Sequence, residues 1–196
     1  MVKLTITDSN GLPQHLGGHQ NETHIDKGAL DWLIQKFGVK SYLDVGCGPG
    51  GMVELANEKG LTSLGVDGDF TLERSDPSRY VLHDYTKGPA PVEGLWDIGW
   101  SCEFLEHVGE QYMDNYMDTF AKCKRIVVTH AFPGQGGHHH VNEKDPNYWF
   151  QQFGQRGFLL DMKTTDDVRR ASTMEQRYIR VSGMVFFNSN LNWRVV

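Results

Sequence analysis

A glycine-rich segment that follows an aspartate has the clearest chemical potential in this sequence. Residues 43–51 read LDVGCGPGG, where Asp44 stands two residues before Gly46 and glycines recur at Gly48 and Gly50. Glycines allow a tight turn and let a ligand approach the bare backbone. An aspartate here repels a pyrophosphate and attracts an ammonium or sulfonium group. The segment therefore predicts a loop that binds a ligand with positive charge.

Two further aspartates stand at the ends of predicted strands. Asp67 stands at the end of the second strand, residues 64–66, and 23 residues after Asp44, and Asp84 follows residues 79–83. A carboxylate can accept two hydrogen bonds from a vicinal diol, or one from an amino group. Each aspartate alone is explained equally well as a solvated loop acid or a helix cap. Because all three aspartates lie at or near strand ends, together they indicate one ligand-binding edge of a sheet.

Histidines after the later predicted strands are candidates for proton transfer, because histidine titrates near neutral pH. His107 follows the fourth strand, His130 ends the fifth, and His139 lies in the run 138–140. Packing under the glycine loop is the competing role for His107, and a solvated turn is the competing interpretation of the run. Neighbouring histidines point in different directions and zinc needs about four ligands, so we expect no metal. Glu106 is expected to begin the next helix rather than to catalyse.

Strands and helices must alternate to position these residues. The predicted strands are residues 41–45, 64–66, 79–83, 96–100, 125–129, 157–160 and 183–187. The predicted helices are residues 25–37, 51–59, 112–120 and 146–155, the last with Asp145 as its cap and Pro146 at its first position. This alternation predicts an α/β fold whose ligand lies at the carboxyl ends of parallel strands.

Composition narrows the classes of function. The chain has 196 residues, with 19 Lys and Arg against 25 Asp and Glu and a net charge of −6, which disfavours a nucleic-acid partner. Three cysteines without a C-x-x-C pattern favour a reducing compartment. No apolar stretch has the length of a signal peptide or membrane span, so we expect a cytoplasmic protein without a membrane partner. We expect one domain, residues 25–196, after an N-terminal extension, residues 1–24; the oligomeric state is not predicted.

The D-x-G-x-G-x-G pattern of residues 44–50 resembles motif I of the class I S-adenosylmethionine-dependent methyltransferases. Residues 105–108, LEHV, resemble the segment that follows the fourth strand in that family. The resemblance implies a doubly wound, mostly parallel, seven-stranded Rossmann-like sheet with helices on both faces and an antiparallel last strand. It also implies S-adenosyl-L-methionine as cofactor, with Asp67 on the ribose hydroxyls and Asp84 on the adenine amino group.

The resemblance further implies a set of cofactor contacts along the strand ends. These are Asp44, Gly46, Cys47, Gly48, Gly50, Asp67, Gly68, Asp84, Tyr85, Ser101 and Cys102. His107, His130 and His139 remain the candidates for catalysis.

The predicted reaction is methyl transfer to a small-molecule or sugar-like acceptor, with oxygen as the preferred atom. The chain lacks a Pro-Cys dipeptide and leaves no room for a separate domain that recognises nucleic acid. One alternative is a nicotinamide-dependent oxidoreductase, because Gly46, Gly48 and Gly51 satisfy G-x-G-x-x-G, although Asp44 and Gly50 argue against it. Another alternative is a protein that binds S-adenosylmethionine without catalysis.

Overall fold

The computed structural model describes residue 7 and residues 11–191. Residues 1–6 and 8–10 of the predicted N-terminal extension lie outside the described part, as do residues 192–196. The strands are β1 (Ser41–Val45), β2 (Thr62–Asp67), β3 (Tyr80–Leu82), β4 (Trp96–Ser101), β5 (Cys123–Val128), β6 (Phe158–Leu160) and β7 (Met184–Asn188). The helices are α1 (Lys27–Phe37), α2 (Gly51–Glu58), α3 (Met113–Phe120), α4 (Pro146–Gln155), α5 (Met162–Ala171) and α6 (Tyr178–Ser182).

The seven strands form one sheet in the order β3-β2-β1-β4-β5-β7-β6. Strands β1 to β5 pair in parallel, with Leu43 opposite Leu64 and Tyr42 opposite Ile98. Strand β7 runs antiparallel to both of its neighbours, β5 and β6. The predicted fold class, mostly parallel with an antiparallel last strand, is confirmed.

Helices cover both faces of the sheet because side chains alternate along each strand. Leu43 and Val45 of β1 belong to the core cluster under α3 and α4. The side chain of Tyr42 points to the opposite face and belongs to the cluster under α1, α2, α5 and α6. No helix among the described residues has both the length and the apolar character that a membrane span requires.

Local capping explains where two of the helices begin. Asp145 accepts a hydrogen bond from the Tyr148 backbone N–H and Pro146 opens α4, as predicted. Asp26 caps α1 by accepting from the Ala29 backbone N–H at 3.0 Å. Because Asp26 is buried and also accepts from the Thr173 backbone N–H, the cap ties α1 to the chain beyond α5.

Two helices were not predicted, and the role expected for Glu106 is wrong. The α5 sequence MKTTDDVRRA is amphipathic but carries few apolar residues, so it presents no apolar stripe to recognise. Helix α6 spans only five residues, which is too short to show a period. Glu106 does not begin α3. It lies in a short 3-10 turn, Leu105–His107, and its side chain is fully buried.

Candidate ligand-binding pocket

A pocket of about 240 Å³ lies at the carboxyl ends of β1, β2, β3 and β4. Nine of the predicted cofactor contacts line it: Asp44, Gly46, Cys47, Gly48, Asp67, Gly68, Asp84, Tyr85 and Cys102. Gly50 and Ser101 do not line it. Gly50 caps α2, and the Ser101 hydroxyl donates to the Val45 carbonyl at 2.8 Å, tying β4 to β1.

The glycine loop needs its glycines for two different reasons. Gly46 and Gly48 have φ angles of 75° and 51°, in the left-handed region that side chains disfavour. A Cβ atom at Gly46 would overlap the ring of Phe104. At Gly48 the nearest atoms to such a Cβ belong to His19, at 3.5 Å, which is ordinary contact. Gly46 is therefore required by its close contact with Phe104, whereas the space beside Gly48 is more open.

Asp44 is a buried carboxyl group with little to neutralise it. Its side chain is 3% exposed, and its hydrogen-bond partner among the described residues is the Tyr42 hydroxyl, at a long 3.5 Å. Burial, followed by the nearby charge of Asp67, raises the pKa of Asp44 from 3.8 to about 8. A cation that enters the pocket would therefore stabilise the ionised form of this group.

Asp67 joins the glycine loop to the end of β2. Its Oδ2 accepts from the Gly48 backbone N–H at 2.8 Å, and its Oδ1 accepts from the Asp69 backbone N–H at 2.8 Å. Burial raises the pKa of Asp67, and these two hydrogen bonds oppose that effect. Because a carboxylate offers about four lone-pair positions, Asp67 keeps acceptor capacity for a diol.

The N-terminal segment covers the pocket and contacts its acids. His15 Nε2 lies 3.2 Å from Asp84 Oδ2, and His19 Nε2 lies 2.9 Å from Asp69 Oδ2. Burial raises the pKa of Asp84, but the hydrogen bonds from Thr86 and the contact with His15 outweigh it and lower that pKa overall. Much of the segment predicted as an extension, from His15 to His24, therefore forms a wall of the site.

Of the three predicted catalytic histidines, His107 lines the pocket and the other two do not. The buried His130 ring packs against Phe132 and Trp149. His139 has a left-handed φ of 50° and lies beside His15. Burial, followed by the neighbouring His140, lowers the pKa of His107 to about 4, so His107 is neutral at physiological pH and offers a lone pair.

Comparison with known proteins identifies the architecture. No protein-family model and no curated protein sequence matches this chain. Among solved structures, a TehB-like SAM-dependent methyltransferase from Corynebacterium glutamicum matches with a TM-score of 0.59 and 18% identity, over 83% of this chain and 89% of that one. This chain has the class I methyltransferase fold.

Two further methyltransferase structures share this class I fold. Magnesium protoporphyrin IX methyltransferase from Synechocystis, with bound SAM, matches with a TM-score of 0.52 and 16% identity, over 80% of this chain and 74% of that one. A SAM-dependent methyltransferase from Archaeoglobus fulgidus matches with a TM-score of 0.52 and 23% identity, over 66% of each chain. The predicted fold family is therefore confirmed.

Several residues that line this methyltransferase-fold pocket were not predicted, notably Glu103 and Tyr178. From the run 138–140, His140 lines the pocket and the predicted His139 does not. Glu103 has a φ of 53°, a strained value for a residue with a side chain, and its carboxyl accepts from the Thr129 hydroxyl at 2.8 Å. Its place two residues after the end of β4 was the available signal, because ligand-binding residues gather near such strand ends. Tyr178 lies on the unpredicted α6, so no signal pointed to it.

Proposed function

We propose that this protein transfers a methyl group from S-adenosyl-L-methionine to an oxygen atom of a small-molecule or sugar-like acceptor. The observation that carries the proposal is the buried, weakly partnered Asp44 at the head of the D-x-G-x-G-x-G loop. The cofactor when bound supplies an activated methyl group on a cationic sulfonium. A carboxyl group kept in the pocket with a raised pKa suits a ligand of that charge.

The remaining acids fit the other parts of the cofactor. Asp67 has free acceptor positions for the ribose hydroxyls, and Asp84 lies at the next strand end for the adenine amino group. His15 already contacts Asp84 Oδ2. Adenine would therefore share this carboxylate with His15 or displace it, and the segment that carries His15 would move as the cofactor enters.

The sheet order supports a methyltransferase over a nicotinamide-dependent oxidoreductase. The dinucleotide-binding sheet has strand order 3-2-1-4-5-6, with its sixth strand beside the fifth. Here the antiparallel β7 lies between β5 and β6. Asp44 adds a second argument, because a sulfonium would stabilise the ionised form of this buried carboxyl group, whereas a pyrophosphate would oppose its ionisation.

A small acceptor fits the enclosure of the pocket. His15 and His19 of the N-terminal segment contact acids at the strand ends, so the segment lies across the site. Similar folds act on varied acceptors: the names of two neighbours specify a magnesium porphyrin and plantazolicin. A hydroxyl acceptor must lose its proton, and Glu103 and His107 are pocket residues able to receive one.

Calorimetric titration of the purified protein with S-adenosylmethionine, S-adenosylhomocysteine and NAD tests the cofactor. We expect the first two to bind and NAD not to bind. Methyl transfer from labelled S-adenosylmethionine to a panel of hydroxylated small molecules then tests catalysis. Binding of NAD without S-adenosylmethionine would support the oxidoreductase alternative, and cofactor binding without transfer to any acceptor would support the non-catalytic one.

A further inference from the structure

A carboxylate and two imidazoles meet at the edge of the pocket. Ligating atoms of Glu106, His107 and His140 all lie within 4.8 Å of one another. Glu106 and His107 belong to the 3-10 turn after β4, and His140 comes from the loop that follows β5. The histidine run 138–140 alone predicted no metal site, but this cluster takes only His140 from that run. Its other members come from a different part of the chain.

Two members of the cluster are buried without compensation. The Glu106 side chain is fully buried, and its neighbour is another acid, Glu103, whose charge raises the pKa of Glu106 further after burial. No cationic side chain among the described residues donates to either Glu106 carboxyl oxygen. His107 Nδ1 is also buried without a partner there. Unpartnered buried polar groups are costly, and native proteins rarely retain them without a reason. A cation between these groups would satisfy both.

Backbone hydrogen bonds hold the two parts of the cluster together. The backbone N–H groups of Val141 and Asn142 donate to the Glu106 carbonyl at 2.9 and 3.1 Å. The Asn142 side-chain amide donates to the Val108 carbonyl at 3.3 Å. The loop that carries His140 is therefore fastened to the turn that carries Glu106 and His107, so these side chains are held close before any ligand arrives.

Glu143 orients the His140 ring. Its Oε1 lies 3.0 Å from His140 Nδ1, and its carboxylate also accepts from the backbone N–H groups of Gly134 and Gly136 at 2.7 and 2.6 Å. With Nδ1–H donating to this carboxylate, Nε2 carries the lone pair. A carboxylate behind a histidine in this way is the usual outer support of a metal-binding imidazole.

We propose that Glu106, His107 and His140 bind a divalent transition-metal ion. Imidazole ligands favour iron, cobalt, nickel, copper or zinc over magnesium and calcium, which prefer oxygen ligands. Two ligand atoms that each lie about 2.1 Å from one ion are at most about 4 Å apart. The ligating atoms here lie within 4.8 Å of one another, so they would need to approach by less than about 1 Å to bind an ion. Three protein ligands leave coordination positions open, as catalytic metal sites do.

The open positions would face the pocket, since His107 and His140 both line it. The role that follows rests on the proposed methyltransferase function. An acceptor with oxygen donors, such as a vicinal diol, would ligate the ion, which would lower the pKa of the acceptor hydroxyl. His107 would then act as a ligand, and the proton would leave from a metal-bound hydroxyl to Glu103 or solvent.

Titration of the chelator-treated full chain with Mn²⁺, Co²⁺, Zn²⁺ and Mg²⁺, without cofactor or acceptor, tests the site. We expect one transition-metal ion per chain and much weaker binding of Mg²⁺. Glu106→Gln and His140→Ala should each weaken Co²⁺ binding about 100-fold or more, because each removes a direct ligand. His138→Ala is the matched control from the same loop, and it should keep the wild-type affinity.

Folding of Glu106→Gln is expected, because a neutral isostere replaces an unpartnered buried carboxylate, and its thermal melt checks this. The proposal is overturned if the wild type shows no saturable binding up to about 1 mM metal, or if Glu106→Gln binds Co²⁺ as tightly as the wild type does. A proton shared between Glu106 and Glu103 would then explain the buried acids. Titration of the metal-free protein with S-adenosylmethionine tests the proposed function separately.

Discussion

Asp44→Asn is expected to stabilise the ligand-free protein while weakening its binding of the cofactor. Burial raises the pKa of Asp44 from 3.8 to about 8, so the folded protein keeps this group protonated at pH 7 and the unfolded chain ionises it. Since a tenfold change in an equilibrium is about 1.4 kcal/mol, this difference lowers the free energy of unfolding by about 4 kcal/mol at pH 7. Asparagine does not ionise and removes that penalty.

The dependence on pH has a definite sign. A group whose pKa is raised by folding contributes its full stability below its unfolded pKa, and that stability is lost as pH rises to the folded pKa. For Asp44 the loss runs from about pH 4 to about pH 8. Wild type and Asp44→Asn should therefore have similar stability near pH 4 and diverge up to pH 8. At pH 7 the melting temperature of the variant should be higher by on the order of 10 °C.

Thermal and urea unfolding of the ligand-free proteins between pH 4 and pH 9 measure this effect. Asp26→Asn is the matched control, because Asp26 is equally buried but accepts hydrogen bonds from Ala29, Thr173 and Ser172. It should lower the free energy of unfolding by about 1 kcal/mol, since both Asp26 carboxyl oxygens accept hydrogen bonds and a carboxamide has only one oxygen to accept them. The same chemical change at two buried aspartates thus has opposite expected signs.

Parallel stability curves for wild type and Asp44→Asn across this pH range would refute the reasoning, because they would show that Asp44 does not titrate differently in the folded state. In the same samples, Asp44→Asn should bind S-adenosylmethionine more weakly by about 1.5–3 kcal/mol, the usual range for a charged hydrogen bond such as one from the ammonium group of the cofactor. Unchanged affinity would show that Asp44 does not contact the cofactor.

Asp67→Ala should weaken binding of S-adenosylmethionine about 10-fold to 100-fold by calorimetry, through loss of a charge-assisted diol contact, whereas Ala at the exposed Asp114 should not. Equal effects of the two changes would remove Asp67 from the site. Gly46→Ala should lower the melting temperature more than Gly60→Ala does. Both positions have a positive φ, but only at Gly46 would the new Cβ overlap a neighbour, Phe104. Equal melting temperatures would contradict this role of Phe104.

The aspartates near the strand ends show which site residues local sequence patterns can predict. Short apolar runs with Asp44, Asp67 and Asp84 at or next to their carboxyl ends predicted three strands, and parallel strands place those ends at one edge of the sheet. The pocket at that edge contains all three residues. Ser101 and His130 followed the same rule and failed it: the Ser101 hydroxyl turns to the Val45 carbonyl, and the His130 ring packs among aromatic rings. Position at a strand end does not set the direction of a side chain.

The sequence by itself determined the α/β class, the glycine loop and the acidic edge, because hydrophobic period and glycine content act within a few residues of the chain. Only the tertiary structure decided that His15 would contact Asp84 and that His140 would meet Glu106 and His107. These contacts join segments far apart in the chain. They depend on how loops close over a packed sheet, and no local propensity encodes that closure.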